Sequence, residues 1–344
     1  MDLPVIWFAA IAVLWIGYFV LEGFDFGVGV LLPLLGRNNT DRRVMINSIG
    51  PVWDGNEVWV ITAGGAMFAA FPAWYASLFS GFYLPLLLIL VALIARGVAF
   101  EYRGKVDDDR WRARWDKAIF WGSAAPALLW GVAFANIVRG VAMDEANIVT
   151  AGLLDLLNPY ALLGGVTTLS LFTLHGAMFL SLKTDGEVRT LARRAVPAIA
   201  LVAVPAAAGF LIWTQTAYGK PWTLPLAGIA AVALIAAVLL SLRGREGWSF
   251  VATAVTIATA TVVLFGSLFP NVLPSTTDPA FSLTVENASS SDYTLTVMTW
   301  VAVVALPIVL AYQSWSYWVF RKRVTREHIE PTPAYGGAVP PHGS

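Results

Sequence analysis

Nine largely apolar stretches, each long enough to cross a bilayer as a helix, constrain this chain more than any other feature. A spanning helix needs about 20 such residues. Runs of that order fall at roughly 4–35, 51–72, 75–100, 118–140, 157–182, 195–216, 222–242, 248–270 and 292–320. Within hydrocarbon each backbone polar group must be satisfied internally, which makes the α-helix the structure open to such runs. The expected fold is therefore an all-α integral membrane protein with nine transmembrane helices packed as helical bundles. Composition agrees: 58% of the residues are hydrophobic and 13% are charged, against about a quarter charged in a soluble domain. The start, Met1-Asp2-Leu3-Pro4, carries no basic residue. The first run is thus expected to stay as a helix rather than to be removed as a signal.

Lys and Arg positions set the expected orientation. With the N-terminus outside, the cytoplasmic stretches collect Arg37, Arg42 and Arg43, then six basic residues between Arg103 and Lys117. They also collect Lys183, Arg189, Arg193 and Arg194, then Arg243 and Arg245, and finally Arg321, Lys322, Arg323 and Arg326. That is 19 of the 22 basic residues. Arg139 and Lys220 fall on the other side, and Arg96 lies near the inner end of the third run. An N-out, C-in topology with an odd helix number follows. Residues 1–325 read as one membrane domain and 326–344 as a cytoplasmic tail, Pro/Gly-rich and disordered from Pro331. The 101–117 stretch, with Trp111 and Trp115 one turn apart, fits either a short interfacial helix or a solvated loop anchored by tryptophans. Pro85, Pro126, Pro205 and Pro307 lie within runs and are expected to kink them.

Zero formal net charge gives no reason to expect a nucleic-acid partner, and the absence of cysteine excludes disulfides and thiolate metal sites in this chain. Chemistry is better sought among charges inside the apolar runs, which are costly there and suggest function by default. Glu22 and Asp25 lie three residues apart in the first run, and Asp54 and Glu57 repeat that spacing at the start of the second. The first helix runs inward and the second outward, so all four carboxylates are expected near one depth, towards the cytoplasm, with Arg96 in reach. Burial and mutual repulsion favour carboxyl groups that share protons and pass them on; a cytoplasmic proton inlet fits. Two other readings stand beside it: a salt-bridge network locking three helices, and Asp54 and Glu57 simply favouring the positive end of a helix.

Gly23 and Gly27, Gly64-Gly65 and Gly164-Gly165 are expected to allow close helix approach. His175 is the one histidine inside a run, with His328 and His342 in the tail. It reads as a hydrogen-bonded packing residue rather than a haem ligand. Trp53, beside Asp54, could wall a proton path or a quinone pocket; contact with lipid is the alternative.

The stretch Gly23-Phe24-Asp25-Phe26-Gly27-Val28-Gly29 is similar to the first-helix signature of a known family. Asn47-Ser48-Ile49-Gly50-Pro51-Val52-Trp53-Asp54-Gly55-Asn56-Glu57-Val58-Trp59, continuing through Thr62-Ala63-Gly64-Gly65-Ala66, resembles its second-helix signature, and that longer block is the specific one. Phe79-Ser80-Gly81-Phe82-Tyr83, Trp115-Asp116 with Gly122-Ser123, Asn158-Pro159 and Thr296-Val297-Met298-Thr299-Trp300 extend the match. The resemblance is to subunit II of cytochrome bd-type quinol oxidases, over nearly the whole chain apart from the tail.

That resemblance implies a respiratory complex in a bacterial cell membrane that oxidises quinol and reduces dioxygen to water. It places two b-type haems and one d-type haem in a partner, subunit I, which also carries the quinol-binding loop. This chain would ligate none of them and would not be catalytic alone. Some members of the family hold a quinone in subunit II, and small single-helix accessory subunits are further expected partners, with lipid and quinol. The family's cytoplasmic proton path involves the Asp of the Trp-Asp-Gly-Asn block, here Asp54, with Asp25 in support; Glu22 and Glu57 join it by position. The competing class is a proton- or cation-coupled secondary transporter, which would show inverted repeats and midplane acids.

Overall fold

A computed structural model describes residues 2–329. Among these residues there are eleven α-helices: α1 Leu3–Leu35, α2 Asn39–Ile49, α3 Trp53–Ala70, α4 Pro72–Gly81, α5 Tyr83–Tyr102, α6 Asp109–Arg139, α7 Pro159–Lys183, α8 Gly186–Ala217, α9 Leu224–Leu242, α10 Glu246–Leu268 and α11 Asp292–Val319. Among the described residues eight helices, all but α2, α3 and α4, are long and apolar enough to cross a membrane. The fold is all-α and membrane-spanning. At 18 residues α3 has the length, but Asp54, Asn56 and Glu57 in its first turns lower its apolarity.

Apolarity alone misplaced some ends. The expected third run, 75–100, is two helices that meet at Phe82 (φ −100°, ψ 22°), and the first of them, α4, starts ahead of the run, after Phe71 (φ −135°, ψ 68°), with Pro72 in its first turn. A proline has no N–H to continue the preceding helix and is at home at the start of a new one. Pro85 consequently lies in the first turn of α5 instead of kinking a longer helix. The 101–117 stretch is neither a separate helix nor only a loop. Asp108 caps the N-terminus of α6, its side chain accepting from Arg110 N, and the helix runs unbroken through Trp111 and Trp115. In the same way Asp185 starts α8 nine residues before the apolar run, accepting from Gly186 N. That hydrogen bond holds the Asp185 carboxyl below its ordinary range.

α1 is the central helix, packed against α3, α6, α7 and α10. Its closest crossing is with α7, at Gly27 and Gly176. A Cβ on Gly27 would come 2.0 Å from Phe172 O, and one on Gly176 2.5 Å from Gly27 C. Gly23 packs against the Phe172 ring, and Gly164 meets α6 at Gly131. Gly64 and Gly65 do not follow the expectation. A Cβ on Gly65 would meet nothing within 4 Å, because this face of α3 points away from the rest of the chain.

Polar bonds tie the helix ends into two groups. At one, Arg326 binds Asp41 (2.5 Å) and Glu187 (2.7 Å), Arg37 binds Glu187 (2.7 Å), and Arg189 and Arg323 both bind Glu246 (2.9 Å each). Arg42 and Arg103 there converge on Asp116, at 2.8 and 2.5 Å. At the other, Ser290 N donates to Ala70 O (2.8 Å), Val141 N to Pro274 O (3.0 Å), and Asn147 Nδ2 to Phe281 O (2.8 Å). A two-stranded ribbon, Asn271–Leu273 with Leu283–Thr284, closes this end. The tail expected from 326 thus begins in a docked turn, Arg326–His328; from 330 onward it lies outside the described residues.

Candidate functional site

Helices α1, α3 and α5 bring charged side chains together inside the bundle. Glu22 and Asp25 on α1 and Arg96 on α5 are all fully buried, at 0% exposure. The Arg96 guanidinium pairs through Nη2 with Glu22 Oε1 and lies 3.1 Å from Glu57 Oε1 of α3, whose side chain is 20% exposed. Two rings flank that guanidinium, Phe26 at 4.7 Å and Phe100 at 5.6 Å from Cζ, where aromatic faces favour a cation. Asp25 does not meet Arg96 directly; its Oδ2 accepts from Asn56 Nδ2 at 2.7 Å. Glu22 Oε2, Asp25 Oδ1 and Arg96 Nε and Nη1 are buried without a hydrogen-bond partner among the described residues.

Asp54 stands apart. It lies in the first turn of α3, exposed and without a bonded partner among the described residues. Three residues on, Glu57 turns inward to Arg96. Residues three apart on a helix are offset by about 60° of arc, enough here to put one carboxyl in the cluster and the other on the outer face. Trp53 packs its ring on Phe100 (5.0 Å between centroids) and so closes the cluster on that side. It lines neither of two apolar pockets among the described residues. The first lies among Trp15, Trp74, Trp130, Phe134 and Phe265; the second among Phe19, Thr168, Phe210 and Ile257.

Sequence reasoning gave no role to Asn56, Gln313 or Tyr317. Tyr317 donates to Asn56 Oδ1 at 2.8 Å, and Gln313 Nε2 approaches the same oxygen at 3.4 Å. A signal was present: Gln313 and Tyr317 are polar-tipped, four apart, and share one face of an otherwise apolar helix. Their partner lies more than 250 positions earlier, and nothing local reveals that.

Three carboxyl groups facing one guanidinium are not balanced in charge. An uncompensated buried charge costs several kcal/mol, and proton binding by the carboxyl groups is one way such a set reaches neutrality. What the arrangement can do chemically is hold protons and exchange them.

These elements belong together in one family. A model of the cytochrome bd terminal oxidase subunit II matches residues 3–320. The chain belongs to that family. It is 44% identical to cytochrome bd ubiquinol oxidase subunit 2 of Bacillus subtilis over 331 residues, 95% of this chain and 97% of the relative. It is 40% identical to cytochrome bd-I ubiquinol oxidase subunit 2 of Escherichia coli K12 over 365 aligned positions, 94% and 96% of the two chains. Among solved structures, a chain of the bd oxidase from Geobacillus thermodenitrificans superposes with a TM-score of 0.77. The match covers 93% of this chain and 99% of that one, at 18% identity, and speaks for the fold. The chain is thus the second subunit of a terminal oxidase and a multi-pass protein of a bacterial membrane.

A cytochrome complex carries haem, so this subunit II chain can be tested for a haem ligand. His175 has both ring nitrogens engaged, Nδ1 with Thr253 Oγ1 (2.6 Å) and Nε2 with Val20 O (3.2 Å), and its ring stacks on Phe250 at 4.5 Å. Axial ligation needs one of those nitrogens free, so this histidine does not fit the role. No group of three or more His, Cys, Asp or Glu suited to a metal ion occurs among the described residues.

Proposed function

We propose that this chain joins a haem-bearing subunit I to form a quinol:dioxygen oxidoreductase, and that it supplies part of the cytoplasmic proton path to the oxygen-reducing site. The observation that carries the reading is the acid-rich cluster of Glu22, Asp25 and Glu57 around Arg96, with Asp54 exposed one turn away on the same helix. The relatives' names state ubiquinol oxidation for those proteins; quinol is taken over from them as the substrate here. The complex would hold two b-type haems and one d-type haem in subunit I, with a bound quinone in this chain and single-helix accessory subunits as further components.

In this reading this chain's own residues take up and hold protons, and haem in the partner supplies the electron and oxygen chemistry. Asp54 receives a proton at its carboxylate. Glu57, three residues on, shares it with the inner set. Arg96 keeps Glu22 and Glu57 close while their proton occupancy changes, and Trp53 with Phe100 excludes water on one side. The subunit I contact is supported by exposure. Only 6% of the most apolar window of α11 is buried, against 67% for α6 and α7. On α3, Val58, Ile61 and Phe68 stand out at 48%, 72% and 60% exposure, in the same stripe as Asp54 and Gly65. A carboxyl on a face otherwise suited to lipid is costly, and a protein partner with a proton-accepting group relieves that cost.

Nine crossings with the N-terminus outside are part of the same proposal, with α3 as the crossing that composition alone does not mark. The bonds at the helix ends support it. α3 leaves from the end where Asp41 meets Arg326 and finishes at Ala70, bonded to Ser290 at the other. Single cysteines at Asn39 and Ser289 should react with an impermeant reagent from opposite sides of the membrane. Reaction from one side would remove the nine-helix topology.

The proton path is tested by Asp54→Asn, which keeps shape and loses the exchangeable proton. The complex should assemble with its full haem content yet consume oxygen roughly a hundredfold or more slowly per haem, the lower end of what a positioned proton-transfer group contributes. Asp25→Asn should give a milder loss. Normal turnover per haem in Asp54→Asn would leave the cluster as a structural brace only.

A further inference from the structure

A side-chain amide can present either its oxygen or its nitrogen to a neighbour, and the partners decide which. Asn56 is fully buried, so its direction matters. It faces Asp25 of α1 on one side, and Gln313 and Tyr317 of α11 on the other. Reading outward from Asn56 reaches a group with no choice. The Trp59 indole Nε1–H can only donate, and it donates to Gln313 Oε1 at 2.9 Å. With its oxygen committed, Gln313 turns Nε2 to Asn56, so the atom of Asn56 that receives it is Oδ1. The Tyr317 hydroxyl also donates there. Asn56 Nδ2 is left to point at α1, where it donates to Asp25 Oδ2 (2.7 Å) and approaches Leu21 O at 3.4 Å. The indole itself is held in place against α1: a Cβ on Gly17 would come 2.1 Å from Trp59 Cε3.

We propose that Trp59, Gln313 and Asn56 form a one-way chain of positioning residues that keeps Asp25 Oδ2 an acceptor. Its buried Oδ1, which has no hydrogen-bond partner among the described residues, is then the atom at which this carboxyl gains and loses its proton. Asp25 keeps one fixed oxygen and one working oxygen, so its proton faces away from Asn56 in every turnover. The arrangement also gives α11, the least buried of the long helices, a purpose inside the bundle: it carries the middle link, Gln313. The proposal rests on the proton-path reading above and adds which groups orient Asp25 within it.

The test uses the whole assembled oxidase, with oxygen consumption per haem measured against pH. Trp59→Phe keeps a ring at this place and loses the N–H that sets the direction; its pH profile should be displaced relative to the parent. Asn56→Leu removes the donor itself and should displace the profile further, by about one unit, with roughly tenfold slower turnover, the scale of a hydrogen bond to a charged group. Tyr317→Phe should keep the parent profile, since Gln313 still orients Asn56. If Asn56→Leu does not assemble, Trp59→Phe decides alone. Parent profiles in Trp59→Phe and Asn56→Leu, with Asp25→Asn slow, would overturn the positioning chain and leave the proton path standing. Normal turnover in Asp25→Asn would instead take Asp25 out of the path, and this proposal with it.

Discussion

Two charged regions of this protein use the same residue types in opposite proportions. Inside the bundle, Glu22 and Glu57 share one guanidinium, that of Arg96, with Asp25 buried beside them, and polar atoms of Glu22, Asp25 and Arg96 itself have no hydrogen-bond partner among the described residues. At the ion-paired helix ends the basic groups are in excess. Asp116 is met by Arg42 and Arg103, Glu246 by Arg189 and Arg323, and Glu187 by Arg37 and Arg326. Each region is suited to a different task. Those helix-end carboxylates each hold two guanidiniums, so that network braces helices. Carboxyl groups that outnumber their cation and retain free oxygens can change occupancy without dismantling the site.

The comparison predicts that the end network responds to substitution in assembly and the inner cluster in turnover. The largest structural effect is expected from Asp116→Ala. It strands Arg103, itself only 5% exposed, beside Arg42, and breaking a buried pair costs roughly 3–5 kcal/mol. The yield of intact complex should fall sharply, while oxygen consumption per haem of what assembles stays at the parent value. Loss of turnover per haem at unchanged yield would erase the distinction between the regions. Arg326→Ala should do less, since the side chain is 45% exposed, yet it leaves the buried Asp41 without its guanidinium; a lower melting temperature of the complex is the measurement. Arg37→Ala should do least. Its pair with Glu187 joins side chains 61% and 36% exposed, and such pairs contribute about 0–1 kcal/mol, so no change in yield or melting beyond that scale is expected. A ranking in which Arg37→Ala matches Asp116→Ala would show that burial does not govern this network.

Much of the site was legible because its signals are local. Glu22, Asp25 and Glu57 are conspicuous as charges in apolar runs, and their three-residue spacings already suggest shared helix faces. Arg96 in the third run had to find acids, and it did. What local signals could not carry was which way each helix turns. Asp54 and Glu57 look equivalent in the sequence, yet one faces Arg96 and the other faces outward. Gly64-Gly65 and Gly164-Gly165 look equivalent too, yet among the described residues only the second pair sits at a close helix crossing.

The fold class, the approximate spans and the asymmetric placement of basic residues are all readable from the amino-acid order. Each follows from the cost of moving single residues between water and hydrocarbon, which is summed along the chain and needs no knowledge of neighbours. That Asp116 gathers two arginines, and that Asn56 is gripped by α11, emerges from the packed helices. Those outcomes depend on the direction of side chains from segments up to some 260 positions apart. A hydrogen bond is decided by distance and angle between two such segments, quantities that exist only once the helices have packed.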